Sequence, residues 1–116
     1  MAVYVSNITI DQGTDFKCFF ALEDSRTNSS LALIGYGVTA QLRKTYSSSN
    51  YVSFASSIHT PETGIISLAL TDEQTSSLKP GRYVYDVIVI PEGLNSGNAK
   101  YKAVEGMALV RPGVTR

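Results

Sequence analysis

Two runs of alternating apolar residues, Gly64–Leu70 and Gly81–Val89, flank the polar segment Thr71–Pro80, and the second run opens Gly81-Arg82-Tyr83-Val84-Tyr85-Asp86. A period of two is what a strand with one buried face requires. Between the runs, Asp72–Leu78 has the length and polarity of one short helical turn, with Thr71 or Asp72 as its N-cap. A strand, a polar corner with a helical turn, and then Gly-x-Tyr carries a chain from one layer of a sandwich into the other. The spacing predicts that the Tyr83 hydroxyl bonds back to corner backbone, with Gly81 at the strand entry.

The same period recurs along the chain between closely spaced turns, and no window sustains a helical one. The first strand spans Val3–Ile10. Its apolar parity breaks between Val3/Val5 and Ile8/Ile10, which predicts a bulge or a change of sheet at Ser6-Asn7. After the turn Asp11-Gln12-Gly13, strand Thr14–Glu23 places Phe16, Cys18, Phe20 and Leu22 on the core face, and Lys17, Phe19, Ala21 and Glu23 on the other. A polar loop from Asp24 to Ser30 follows. Strand Tyr36–Lys44 points Tyr36, Val38, Ala40 and Leu42 inward, and Ser47–Asn50 is a hairpin tip. Strand Tyr51–Ile58 buries Val52, Phe54 and Ile58, and Gly64–Leu70 buries Ile66, Leu68 and Leu70.

Strand Gly81–Ile90 is apolar on both faces, with Tyr83, Tyr85, Val87 and Val89 on one, and Val84, Ile88 and Ile90 beside Asp86 on the other. Such a strand lies at the centre of its sheet or turns its outer face to another subunit. A loop spans Pro91–Asn98. In the last strand, Ala99–Val110, the parity is muddled around Glu105, so Gly106 is expected to be a bulge or a point of close approach. The sum is an all-β fold: a single immunoglobulin-like antiparallel β-sandwich domain over residues 1–116, of about seven strands, with one short helical turn between the fifth and sixth.

Composition narrows the chemistry. The 116 residues carry 10 Lys plus Arg against 10 Asp plus Glu, and the basic residues are scattered. No nucleic-acid partner is expected, because such a partner calls for a basic excess gathered on one face. Charged residues make up 17% of the chain, a low share that favours association over repulsion. Cys18 is the only cysteine and His59 the only histidine, so neither a disulfide framework nor a Cys- or His-based metal cluster is available. No apolar run approaches the roughly 20 residues that span a membrane, and the start Met1-Ala2-Val3-Tyr4 lacks a signal-peptide pattern. Synthesis in a cytoplasm is the expectation, with no membrane partner.

No enzymatic constellation emerges. His59 stands at a strand end before Thr60-Pro61, and no Gly-x-Ser-x-Gly elbow occurs. Asp11 and Asp15 with a loop carbonyl resemble no calcium loop in spacing. Gly35-Tyr36-Gly37 precedes a strand and so offers no helix terminus to a phosphate. Cys18, among phenylalanines, reads as a small buried hydrophobe. No enzyme activity, cofactor or metal is expected. The residues left over are Phe19, Val84, Asp86, Ile88 and Ile90: outward apolar positions beside one acid, which form a contact patch if their strands are adjacent. Edge strands, Val3–Ile8 or Ala99–Val110, are a second route to partners.

Several stretches together resemble a family of small immunoglobulin-like virion proteins of tailed bacteriophages, including those of cyanobacterial phages and the N-terminal modules of some baseplate upper proteins. They are Ile8–Phe16, Gly35–Lys44 with its Leu33-Ile34-Gly35-Tyr36 step, Gly64–Thr75, Gly81–Val87, and Val104-Glu105-Gly106 through Pro112–Arg116. The resemblance implies a tail, baseplate or fibre-attachment component of a virion, made in the host bacterial cytoplasm. It further implies binding to other virion structural proteins and to itself, as a trimer or hexamer for instance. A capsid decoration protein is the alternative within structural roles. A carbohydrate- or receptor-binding module using Tyr46, Tyr51 and Tyr101 is the alternative outside them.

Overall fold

The computed structural model describes residues 4–22, 33, 35–91 and 100–114. Nine strand segments build two sheets: β1 (Tyr4–Val5), β2 (Ile8–Asp11), β3 (Phe16–Ala21), β4 (Gly37–Arg43), β5 (Val52–Ser53), β6 (Ala55–Thr60), β7 (Ile65–Leu70), β8 (Gly81–Ile90) and β9 (Tyr101–Arg111). The larger sheet runs β1-β9-β8-β4-β5, with β2 also on β9; the smaller runs β3-β7-β6. The nine segments are the seven predicted strands, two of them interrupted. The loops expected over 24–30 and 92–98 lie outside the described residues.

Only the second interruption is a change of partner. The first strand is interrupted at Ser6-Asn7, but the expected bulge or change of sheet does not occur: β1 and β2 keep one register on β9, so alternation turns Val5 outward and Ile8 and Ile10 inward. The second breaks at Phe54, between β5 on β4 and β6 on β7. There the Phe54 N–H donates to the Ala40 carbonyl at 3.0 Å, and the buried ring lies 6.2 Å from Phe16 and 6.1 Å from Tyr85. Phe54 therefore ties the two layers together where the chain passes between them.

Against an all-antiparallel expectation, β1 and β2 run parallel to β9. Direction follows from counting: seven strands that reverse at every connection leave the first and the seventh pointing the same way. This placement also corrects the expectation for the edges. β9 lies between β8 and the first strand, so among the described strands β1/β2, rather than β9, borders the larger sheet.

A close crossing holds the first strand in place. A Cβ built on Gly106 meets the Ser6 carbonyl oxygen at 2.0 Å, far inside contact distance, so only glycine lets the backbones pass. The Ser6 N–H donates to the Glu105 carbonyl at 3.0 Å, and the Met107 N–H donates to Asn7 Oδ1 at 3.0 Å. Beneath them the Tyr85 hydroxyl donates to the Ser6 carbonyl. Asn7 thus supplies from its side chain an acceptor the interrupted ladder lacks, satisfying a donor that is costly to leave unpaired.

The corner forms as the sequence predicts. Helix α1 (Asp72–Ser76) is capped by Thr71, which accepts from the Gln74 N–H at 3.2 Å while Gln74 Oε1 accepts from the Thr71 N–H at 3.0 Å. The Tyr83 hydroxyl donates to the Lys79 carbonyl at 2.8 Å. Thr75, fully buried, donates to the Thr14 carbonyl at 2.7 Å and accepts from the Gly13 N–H at 3.1 Å. Those two bonds fasten the corner to the β2–β3 turn.

Between the sheets, Ile10, Leu42, Val87, Val89, Val104 and Val110 of the larger meet Ile66 and Leu68 of the smaller, all essentially inaccessible. No helix among the described residues is long and apolar enough to cross a membrane. Two substitutions test this framework in chemical denaturation. Gly106→Ala should destabilise by about 1–3 kcal/mol or more, because the strands must part to admit a methyl group. Tyr83→Phe should cost about 1 kcal/mol, the ordinary worth of one hydrogen bond.

Candidate functional site

The outer face of the larger sheet is set by the pairing of β8 with β9: Arg82 opposite Leu109, Val84 opposite Met107, Asp86 opposite Glu105, and Ile88 opposite Lys102. Val104, Ala108 and Val110 point into the core, so alternation turns Met107 and Leu109 outward, 41% and 42% exposed. Beyond them Val5, opposite Glu105, is 69% exposed. Met107 and Leu109 border a shallow depression of about 280 Å³ shared with Ile8, Thr9 and Arg82. One end of the face is therefore apolar.

The middle of the face is ionic. Lys102 Nζ lies 3.2 Å from Glu105 Oε2 and 3.8 Å from Asp86 Oδ2. The hydrogen bond to Glu105 raises the lysine pKa, and attraction to Glu105 and Asp86 adds to it, so the ammonium stays charged. The face thus carries an apolar patch at one end and paired charges along its middle.

The structure separates the residues that the sequence had grouped. Val84, Asp86 and Ile88 share the outer face of β8, each partly buried. Phe19 does not join them. Its strand, β3, pairs with β7 in the smaller sheet, so it stands on the opposite side of the sandwich, 50% exposed. Its ring there lies 5.0 Å from that of His59 and 5.4 Å from Lys17 Nζ. Ile90, opposite Gly37 at the end of β8, is buried at 3% exposure and lies outside the main core cluster. It offers no contact surface. Tyr83 and Gly81 occupy the corner as expected.

Met107 and Leu109 escaped the sequence reading for one reason. Val87 pairs with Val104 but Ile88 pairs with Lys102, so β9 carries an extra residue at Ala103. A single alternation drawn across Ala99–Val110 fails at that bulge. Read backwards from Arg111, the alternation Val110/Ala108 against Leu109/Met107 marks the face correctly.

The remaining polar candidates have structural partners. Arg111 grips Asp11 through two bonds, Nε to Oδ1 at 2.7 Å and Nη2 to Oδ2 at 3.1 Å, which lowers the aspartate pKa. Asp15 accepts from the Asp72 N–H at 2.8 Å. Tyr101 stands opposite Val89, whereas Tyr51 adjoins Val52, whose partner Leu42 faces Tyr85. Four residues along β8 separate those positions by about 13 Å, so the two rings share no platform.

No family model matches this chain, and no curated protein does. Among solved structures it is similar to an internalin-like protein of Listeria monocytogenes, at 15% identity and a TM-score of 0.43, over 92% of this chain and 27% of that one. A family 123 glycoside hydrolase from Clostridium perfringens, studied for glycolipid glycan hydrolysis, gives 12% identity and a TM-score of 0.41, over 100% and 24%. The chain thus spans about a quarter of each. Similarity at this level transfers neither an activity nor a partner.

Cys18 lies half-buried on β3, and burial pushes its thiol up to about 11. The folded state favours the protonated thiol, so this contribution to stability is complete below the ordinary value of 9.0 and is lost as pH rises through about 11. Alkylation by iodoacetamide at pH 8 should run on the order of 100-fold slower in the folded protein than in urea, as expected for a scarce thiolate. Equal rates would show Cys18 to be open to solvent.

Proposed function

We propose that this chain is a non-enzymatic structural module of a tailed-phage particle, a tail, baseplate or fibre-attachment component that works through protein–protein contacts. The observation carrying this reading is the apolar end of the larger sheet, where Val84, Met107 and Leu109 adjoin on neighbouring strands. Apolar side chains gathered on a small domain form a surface that gains by being covered. The low charge content and the resemblance of several segments to immunoglobulin-like virion proteins support the same reading. Self-association into a ring or trimeric spike is part of the proposal.

Light scattering over a wide concentration range tests it. The wild type should form a discrete oligomer, and Met107→Asp should convert it to a monomer with an unchanged thermal midpoint. The exposed position of Met107 makes that substitution tolerable to the fold. A wild type that remains monomeric at every concentration contradicts self-assembly through this face.

A further inference from the structure

At the end of the sandwich where β4 runs out and the β7–β8 corner turns, a groove of about 530 Å³ opens between the corner and the start of β5. Its floor is apolar, formed by Leu42, Val52 and Leu78, and its rim carries Arg43, Lys44 and Lys79 beside Tyr51 and Tyr83. No carboxylate lines it. In a chain of zero formal charge, this is a local concentration of positive charge beside an apolar recess.

Two of the cations are held in position by neutral partners. The Arg43 guanidinium lies over the Tyr51 ring at 5.0 Å, and donates to the Ser48 carbonyl and, at 2.9 Å, to Gln41 Oε1. Lys44 Nζ lies over the Tyr83 ring at 4.7 Å and donates to the Arg82 carbonyl at 3.0 Å. Gly81 makes room for it, since a Cβ there would sit 3.0 Å from that nitrogen. Among the described residues the ion pairs belong to Lys102 and Arg111, and no described carboxylate pairs with the cations at the groove. A guanidinium has five donors and an ammonium three, so each keeps N–H groups for a ligand. Side chains already fixed lose little further freedom on binding.

We infer that this groove binds an acidic segment of a partner polypeptide, with apolar side chains on the Leu42/Val52/Leu78 floor and carboxylates on Arg43, Lys44 and Lys79. A cation already occupies one face of each tyrosine, which removes a stacking face that a sugar ring or a base would use. The apolar floor favours a chain in which acids alternate with aliphatic residues. The inference rests on the protein-contact reading above, but it concerns a different surface, separate from Met107.

Fluorescence anisotropy tests it with a short labelled peptide alternating Glu and Leu, against a matched Gln/Leu peptide and a labelled alginate oligosaccharide. The wild type should bind the Glu/Leu peptide about tenfold more tightly than the Gln/Leu peptide, and added salt should erase the difference. The double substitution Arg43→Gln with Lys79→Gln should abolish that preference, and the exposed single variant Lys79→Gln should weaken it without altering the fold. Met107→Asp should leave it intact, so failure of the outer-face reading shows in the solution mass and not here. Equal binding of the two peptides, a preference that survives the double substitution, or a preference for alginate would overturn the inference.

Discussion

The structure depends on a crossing of two backbones at Ser6 and Gly106. The ladder of the first strand is interrupted there, yet the strand continues along the same partner in the same register, Val5 opposite Glu105 and Ile8 opposite Ala108. A side chain at position 106 would hold the strands apart, since its Cβ would overlap the Ser6 carbonyl. Glycine removes that obstacle, and three hydrogen bonds fill the gap, from Ser6 to Glu105, from Met107 to Asn7 and from Tyr85 to Ser6. The burial of Tyr85 pushes its phenol up to about 12, so its hydroxyl remains a donor above the ordinary phenol value of 10.0.

Consequences spread from this point along the larger sheet. Once Ile8 and Ile10 are in register with Ala108 and Val110, their side chains reach the core, and Met107 and Leu109 are turned to the outside. The bidentate Arg111–Asp11 pair closes the same two strands at their far end. Directly beyond Asp11, the capped helical turn and Thr75 bind the corner to the β2–β3 turn. The groove beside that corner and the apolar end of the outer face are thus both products of how the first and sixth strands are anchored.

What the sequence disclosed was what local chemistry governs. The corner is written in contiguous residues, and its bond from Tyr83 to Lys79 spans four positions. The special character of Gly106 was legible because it disturbs a simple alternation, whereas the apolar pattern around Ser6-Asn7 misled: it marked an exposed Val5 and not a bulge or change of sheet. The fact that the first strand meets β9 there was not legible, because Asn7 and Met107 are 100 positions apart. Phe19 failed for the same reason: alternation gives the face of a strand but not the sheet to which the strand belongs. Met107 and Leu109 were hidden by one extra residue at Ala103, and Arg43 and Lys44 looked like an ordinary strand end until the corner closed over them.

The central claim is that the first strand runs parallel to β9, past Gly106, and so determines which residues face outward. Residue-resolved amide hydrogen exchange measures this most directly. The account predicts that the Ser6 and Met107 amides, bonded to the Glu105 carbonyl and to Asn7 Oδ1, exchange as slowly as neighbouring amides of β8 and β9. Exchange of both at the rate of an open loop would mean that the strand is not fastened there, and the outer face described here would lose its basis.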